Sequence, residues 1–201
     1  MTKVSKVRGT PASGKSSLAY LLRTYIQKIH PELHVHLLPC YREFSAEQQS
    51  LNYRAWLAIK GWEFQEGGVL ILDEAQMSYW DQALWLEGLK PIQPNAPYMI
   101  ILFASHGSAS RNLLTTATPF RVQEEQLVGL ARGPRSSIGL LLTREEMEGV
   151  VKKRFPDHQF DESLLDCVYD LTSGHVGACC DALEVVKKHR VSAQLADLEY
   201  E

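Results

Sequence analysis

The chain has 201 residues, 45% of them hydrophobic, with a formal net charge of −3 and a pI near 6.2. That length and apolar content suffice for one full core with a small appended subdomain, and the mild acidity argues against a surface that grips nucleic acid as a whole. No apolar run approaches the roughly 18 residues a membrane span needs, no charged-then-apolar leader precedes the first strand, and the four cysteines lack metal-ligand spacing; they read as reduced thiols in a soluble protein that meets no membrane.

Residues 3–8 alternate polar and apolar as a short first strand does. A strand this close to Met1 suggests a module of a larger parent polypeptide. Gly9, Thr10, Pro11, Ala12, Ser13, Gly14, Lys15 and Ser16 follow, filling every fixed position of G-x-x-x-x-G-K-[ST], the Walker A pattern, over residues 9–16. Glycines allow positive φ and close backbone approach, so the N–H groups from Thr10 to Ser16 can curl around a β-phosphate at a helix N-terminus, with Ser17 next to them in the cofactor-binding set. Lys15 is placed to reach the β- and γ-phosphates of ATP, and Ser16 to offer its hydroxyl to Mg²⁺. Residues 17–29 carry a helical stripe of Leu18, Leu21, Leu22, Tyr25, Ile26 and Ile29, ended by Pro31.

Residues 33–38 read as a second strand stopped by Pro39, with His34 and His36 on one face as surface residues. Ser45 caps a second helix running to Lys60. Residues 69–74, Val-Leu-Ile-Leu-Asp-Glu, form the second chemical element, a strand buried on both faces with two carboxylates at its C-terminal end. Asp73 is the expected Walker B partner of Ser16, holding the Mg²⁺ through a water, and Glu74 is expected to orient and deprotonate an attacking water. Tyr79, Trp80 and Trp85, in an amphipathic segment, read as packing rather than a base platform.

The next buried strand, residues 98–104, ends in Ser105 and His106; the order of elements so far resembles ATPases of the AAA+ and STAND kind, and that resemblance implies a polar sensor for the γ-phosphate at this strand end, a place Ser105 fills with His106 as its rival. Arg111, in the polar stretch that follows, is a candidate charge stabiliser. Residues 120–130 are ambiguous, with strand character at Leu127 and Val128, and Arg132 and Arg135 flank a loop open to nucleotide, a neighbouring subunit or water. Residues 138–142 read as a short buried strand. Thr143 then caps a helix with Glu146 closing a capping box, and two further helices, 161–171 and 176–190, are joined through Thr172-Ser-Gly-His-Val-Gly. Gly174 reads either as a C′ cap or as part of a turn, Ser173 to Gly177, opening a helix whose N-terminal amides or His175 approach the nucleotide.

The order of strand, glycine loop, Asp-Glu-Ala-Gln, sensor-like strand and helical tail resembles the AAA+ and STAND NTPases. The resemblance implies an α/β, three-layer αβα core over residues 1–142 and a helical lid over 143–201. More narrowly, Arg-Gly-Thr-Pro-Ala-Ser-Gly-Lys-Ser, Leu-Asp-Glu-Ala-Gln-Met-Ser-Tyr-Trp and Leu-Phe-Ala-Ser-His-Gly-Ser resemble the NTPase module of Crinkler-type effectors, which are secreted and act in a host nucleus. Where many AAA+ lids carry a sensor arginine, this chain has His175. Three functions remain open: a Mg²⁺-dependent ATP hydrolase that powers or gates a neighbouring module, a STAND-like nucleotide switch with little turnover, and a small thymidine-kinase-like kinase. DNA and a second copy of the chain are open as partners.

Overall fold

A computed structural model describes residues 3–39, 53–79, 81–105, 126–132 and 138–198. Among these, five parallel strands, β1 (Val4–Gly9), β2 (His34–Pro39), β3 (Gly68–Asp73), β4 (Met99–Ser105) and β5 (Leu127–Val128), form one sheet in the order β2-β3-β4-β1-β5. All six residues of β3 are buried, as expected of a strand covered on both faces. The alternation of β1 splits its side chains between the two faces: Val4 joins Leu70, Leu72, Ile100 and Leu102 on one, and Val7 joins Val69, Ile71, Ile101 and Phe103 on the other.

Helix α1 (Lys15–Ile29) closes the second face with Leu18, Ala19, Leu22 and Ile26. Trp56 and Leu57 of α2 (Tyr53–Ile59), and Leu84, Trp85 and Leu89 of a π-helical segment (Ala83–Leu89), cover the first. The core is therefore a three-layer αβα sandwich. The first half of the helix expected from Ser45 lies outside the described residues. So does Trp80; Tyr79 and Trp85 meet edge to face at 4.9 Å, and the Trp85 indole donates to Ser78 O at 2.9 Å, so these aromatics pack as expected.

Residues 138–142 are not a strand, contrary to the sequence expectation. Leu140 N and Leu141 N both donate to Leu130 O, at 2.8 and 2.9 Å, and Leu142 N donates to Gly174 O at 2.9 Å. The apolar run reflects burial of Leu140 in the cluster on the second face of the sheet, while its backbone bonds go to the carbonyls of Gly129, Leu130 and Gly174 instead of a ladder. The ambiguous stretch resolves at Leu127–Val128 into β5, paired with Lys6 and Val7 at the sheet edge.

Three helices follow: α3 (Arg144–Arg154), α4 (Glu162–Thr172) and α5 (Val176–Leu198). Both halves of the capping box form at the start of α3, with Thr143 Oγ1 accepting from Glu146 N and Glu146 Oε2 accepting from Thr143 N at 2.7 Å. These helices bury a separate cluster of Met147, Val151, Phe155, Val168, Cys179 and Leu183. No helix among the described residues is long and apolar enough to cross a membrane.

Candidate functional site

The C-terminal ends of β1, β3 and β4 lie side by side, and the loop after β1 runs into the N-terminus of α1. Two residues of that loop adopt left-handed backbone, Ala12 at φ 58° and Gly14 at φ 83°. Glycine suits the second without penalty; the first is a local strain of the kind found where a loop must curl around a ligand. Gly9 is held open by packing, since a Cβ there would collide with Ser13 Oγ and with Leu140. Thr10 O organises the loop interior, accepting from Ser13 Oγ at 2.8 Å and from Lys15 Nζ at 2.7 Å.

Lys15 is 5% exposed, and burial lowers its pKa, partly offset by the nearby carboxylates of Glu74 and Asp73. The ammonium of the loop and the two acids at the end of β3 thus share one electrostatic environment. Glu74 leaves the strand in left-handed conformation, φ 55°, which breaks the strand's alternation and re-aims its side chain. Its N–H bonds Asp73 Oδ1 at 3.0 Å.

A cleft of about 710 Å³ unites these parts, a size suited to a nucleotide. Gly14, Lys15, Ser16 and Ser17 line it from the loop, Glu74 and Ser105 from the strand ends, and Val176, Gly177 and Cys180 from the first turns of α5. Burial raises the pKa of the Cys180 thiol. Ser16 and Ser17 are exposed, and Asp73, at the end of β3, is buried. Arg111 and His106 lie outside the described residues, as does Arg135. Arg132 makes a forked contact with both carboxylate oxygens of Glu146 at 3.2 Å.

The approach of α5 to the loop is close. Gly177 N donates to Ala12 O at 3.1 Å, and a Cβ on Gly177 would stand 2.6 Å from Ala12 Cβ. His175, one residue before the helix, has its Nε2 2.8 Å from Thr10 Oγ1, while its Nδ1 accepts from Ala178 N at 3.3 Å. An acceptor at Nδ1 puts the proton of the neutral ring on Nε2, so His175 donates to Thr10. Gly174 takes φ 75° directly after the left-handed Ser173, so it ends α4 and turns the chain toward the cleft at once.

Spacing alone did not disclose the contribution of Cys180, nor that of Gln76, which is buried beside Glu74. The paired glycines around His175 were the available sign of a close approach, and the fourth letter of Asp-Glu-Ala-Gln that of a further polar group.

The donor chemistry suits a nucleotide with Mg²⁺. Ser16 and Asp73 are hard oxygen donors; no cluster of three or more His, Cys, Asp or Glu occurs among the described residues, and Mg²⁺ is commonly held by one or two protein oxygens together with phosphates and water. No protein-family model matches the sequence, and no curated protein matches it. Among solved structures, three variants of RuvB from Thermotoga maritima are similar, at 17%, 15% and 16% sequence identity, each with a TM-score of 0.46. The match covers 93% of this chain and 57% of each RuvB chain, so this chain spans less than two thirds of their length.

Proposed function

We propose that this chain is a Mg²⁺-dependent ATP-binding and ATP-hydrolysing module. The observation that carries the reading is the convergence of Lys15 and Ser16 from the loop with Glu74 from the end of β3 in one cleft, with the Lys15 ammonium influenced by both Asp73 and Glu74. The N–H groups of residues 9–17 other than Pro11, with the α1 N-terminus, hold the triphosphate, and Lys15 exchanges the Thr10 carbonyl for the β- and γ-phosphate oxygens. Ser16, and Asp73 through a water, would hold Mg²⁺, which when bound would offset phosphate charge. Glu74 takes a proton from water as its oxygen bonds to the γ-phosphorus; the bond to the β-phosphate oxygen breaks, giving ADP and phosphate. Ser105, which lines the cleft, is assigned to sensing the γ-phosphate, and Arg111 to charge stabilisation from the sequence.

Residues 1–142 serve as the catalytic core and 143–201 as a lid, with His175 coupling the two through Thr10. The narrower reading, an NTPase module that powers or gates an attached Crinkler-type effector domain, rests on the three motif strings.

The test is phosphate release from ATP, GTP, CTP and UTP, with and without DNA, in wild type, Lys15→Ala and Glu74→Gln. Removing the Lys15 charge should weaken ATP binding about 10- to 100-fold, the worth of a charge-assisted hydrogen bond. Glu74→Gln should still bind Mg·ATP while hydrolysis falls on the order of 10²–10⁴-fold. Unchanged affinity in the first variant, or unchanged turnover in the second, refutes the respective assignment. One turnover followed by arrest in wild type would favour the nucleotide switch.

A further inference from the structure

The fourth residue of Asp-Glu-Ala-Gln has no role in the mechanism above, yet Gln76 is 6% exposed and both ends of its amide are committed. Nε2 donates to Glu74 Oε2, and Oε1 accepts from Ser105 N at 3.0 Å. The orientation of the amide is forced by these neighbours, because a backbone N–H only donates and an ionised carboxylate only accepts. Gln76 therefore spans from the residue after β3 to the last residue of β4, and the acid it grips is the one assigned as base.

The geometry around Glu74 explains why such a grip matters. Its backbone is in the left-handed region, it follows the last strand residue, and its N–H is taken by Asp73 Oδ1. The main chain is thereby fixed, whereas a glutamate side chain retains several rotatable bonds that the backbone does not control. A donor on one carboxylate oxygen selects one orientation and leaves the other oxygen to receive a proton. Misplacing a reacting group by about 1 Å is enough to cost on the order of 10²-fold in rate.

We propose that Gln76 is a positioning residue for hydrolysis, its amide fixing the Glu74 carboxylate relative to the end of β4 at Ser105. The inference rests on the ATPase reading. It gives the Ser105 position a second connection to the chemistry, through its backbone N–H, so that a shift of the β4 end displaces Gln76 and with it the base.

Two variants separate positioning from simple bracing. Gln76→Met keeps length and volume and removes both hydrogen bonds. Gln76→Glu keeps an acceptor for Ser105 N but replaces the donor with a carboxylate oxygen, which repels the Glu74 carboxylate and drives it out of position. Mg·ATP affinity, steady-state KM and kcat, and single-turnover phosphate release are measured for these, for Glu74→Gln, and for the Glu74→Gln/Gln76→Met double variant.

The expected result is a drop of about 10- to 100-fold in kcat for both Gln76 variants, with KM and ATP affinity within about twofold of wild type. The double variant should be no slower than Glu74→Gln alone, because Gln76 acts through Glu74. Wild-type turnover in Gln76→Glu would reduce Gln76 to a strap between strands, and a double variant whose loss multiplies the two single losses would break the dependence on Glu74. Should Gln76→Met fail to fold, Gln76→Glu decides, since it retains the bond to β4. Absence of turnover in wild type overturns the ATPase reading and this inference with it; turnover abolished by Glu74→Gln and intact in Gln76→Glu overturns the inference alone.

Discussion

Replacing His175 by alanine tests how α5 is joined to the phosphate loop. The bond from Nε2 to Thr10 Oγ1, at 2.8 Å between neutral half-buried partners, contributes about 1 kcal/mol net. The acceptor at Nδ1 does the work of a helix cap, taking the N–H of Ala178 in the first turn of α5 while His175 O accepts from Cys179 N at 2.9 Å; losing a cap costs roughly 0.5–1 kcal/mol. Together the variant should lose about 1.5–2 kcal/mol, or roughly 3–8 °C in Tm for a chain of this size, in protein free of nucleotide. Thermal unfolding of His175→Ala, Thr10→Val and the double variant measures this, and the cycle should return a coupling of about 1 kcal/mol between the two positions. A histidine that served only to touch phosphate would instead weaken ATP binding and leave the nucleotide-free Tm unchanged. An unchanged Tm, or strictly additive single losses, refutes the latch.

Gly174→Ala should destabilise by roughly 2–4 kcal/mol in urea unfolding, because φ 75° disfavours any Cβ and the added carbon would drive into the Leu142 carbonyl, parting the Leu142 N to Gly174 O bond of 2.9 Å; a loss below about 1 kcal/mol would show that the turn relaxes freely. Lys6, 8% exposed on β1, has its pKa lowered from 10.5 to about 8, first by burial and then by Arg8. Between those values the unfolded chain holds a proton the folded one has released, so stability rises with pH across the window. Lys6→Met removes this dependence along with the bond from Nζ to the Tyr79 hydroxyl at 2.7 Å. Wild type should therefore gain on the variant by up to about 3 kcal/mol between pH 7 and pH 10, and a difference that stays flat would refute the burial argument.

The local rules of the chain made much of this protein legible. The loop at residues 9–16 was readable because glycine, lysine and serine are required by backbone geometry and charge at fixed spacing. β3 was readable because a strand covered on both faces admits only apolar residues, and the α3 capping box because both its hydrogen bonds close within four residues. Residues 138–142 misled for a related reason: an apolar run reports burial of Leu140, but says nothing of where the backbone hydrogen bonds go, and here they go to Gly129, Leu130 and Gly174. The tertiary structure alone decided that β4 inserts between β3 and β1, which brings Ser105 beside the end of Asp-Glu-Ala-Gln and lets Gln76 reach it. It alone joined Thr10 to His175, residues 165 positions apart. Such pairings depend on how separately formed elements stack against one another, and no periodicity or local spacing encodes the distance between groups that meet only when the sheet and the C-terminal helices have packed.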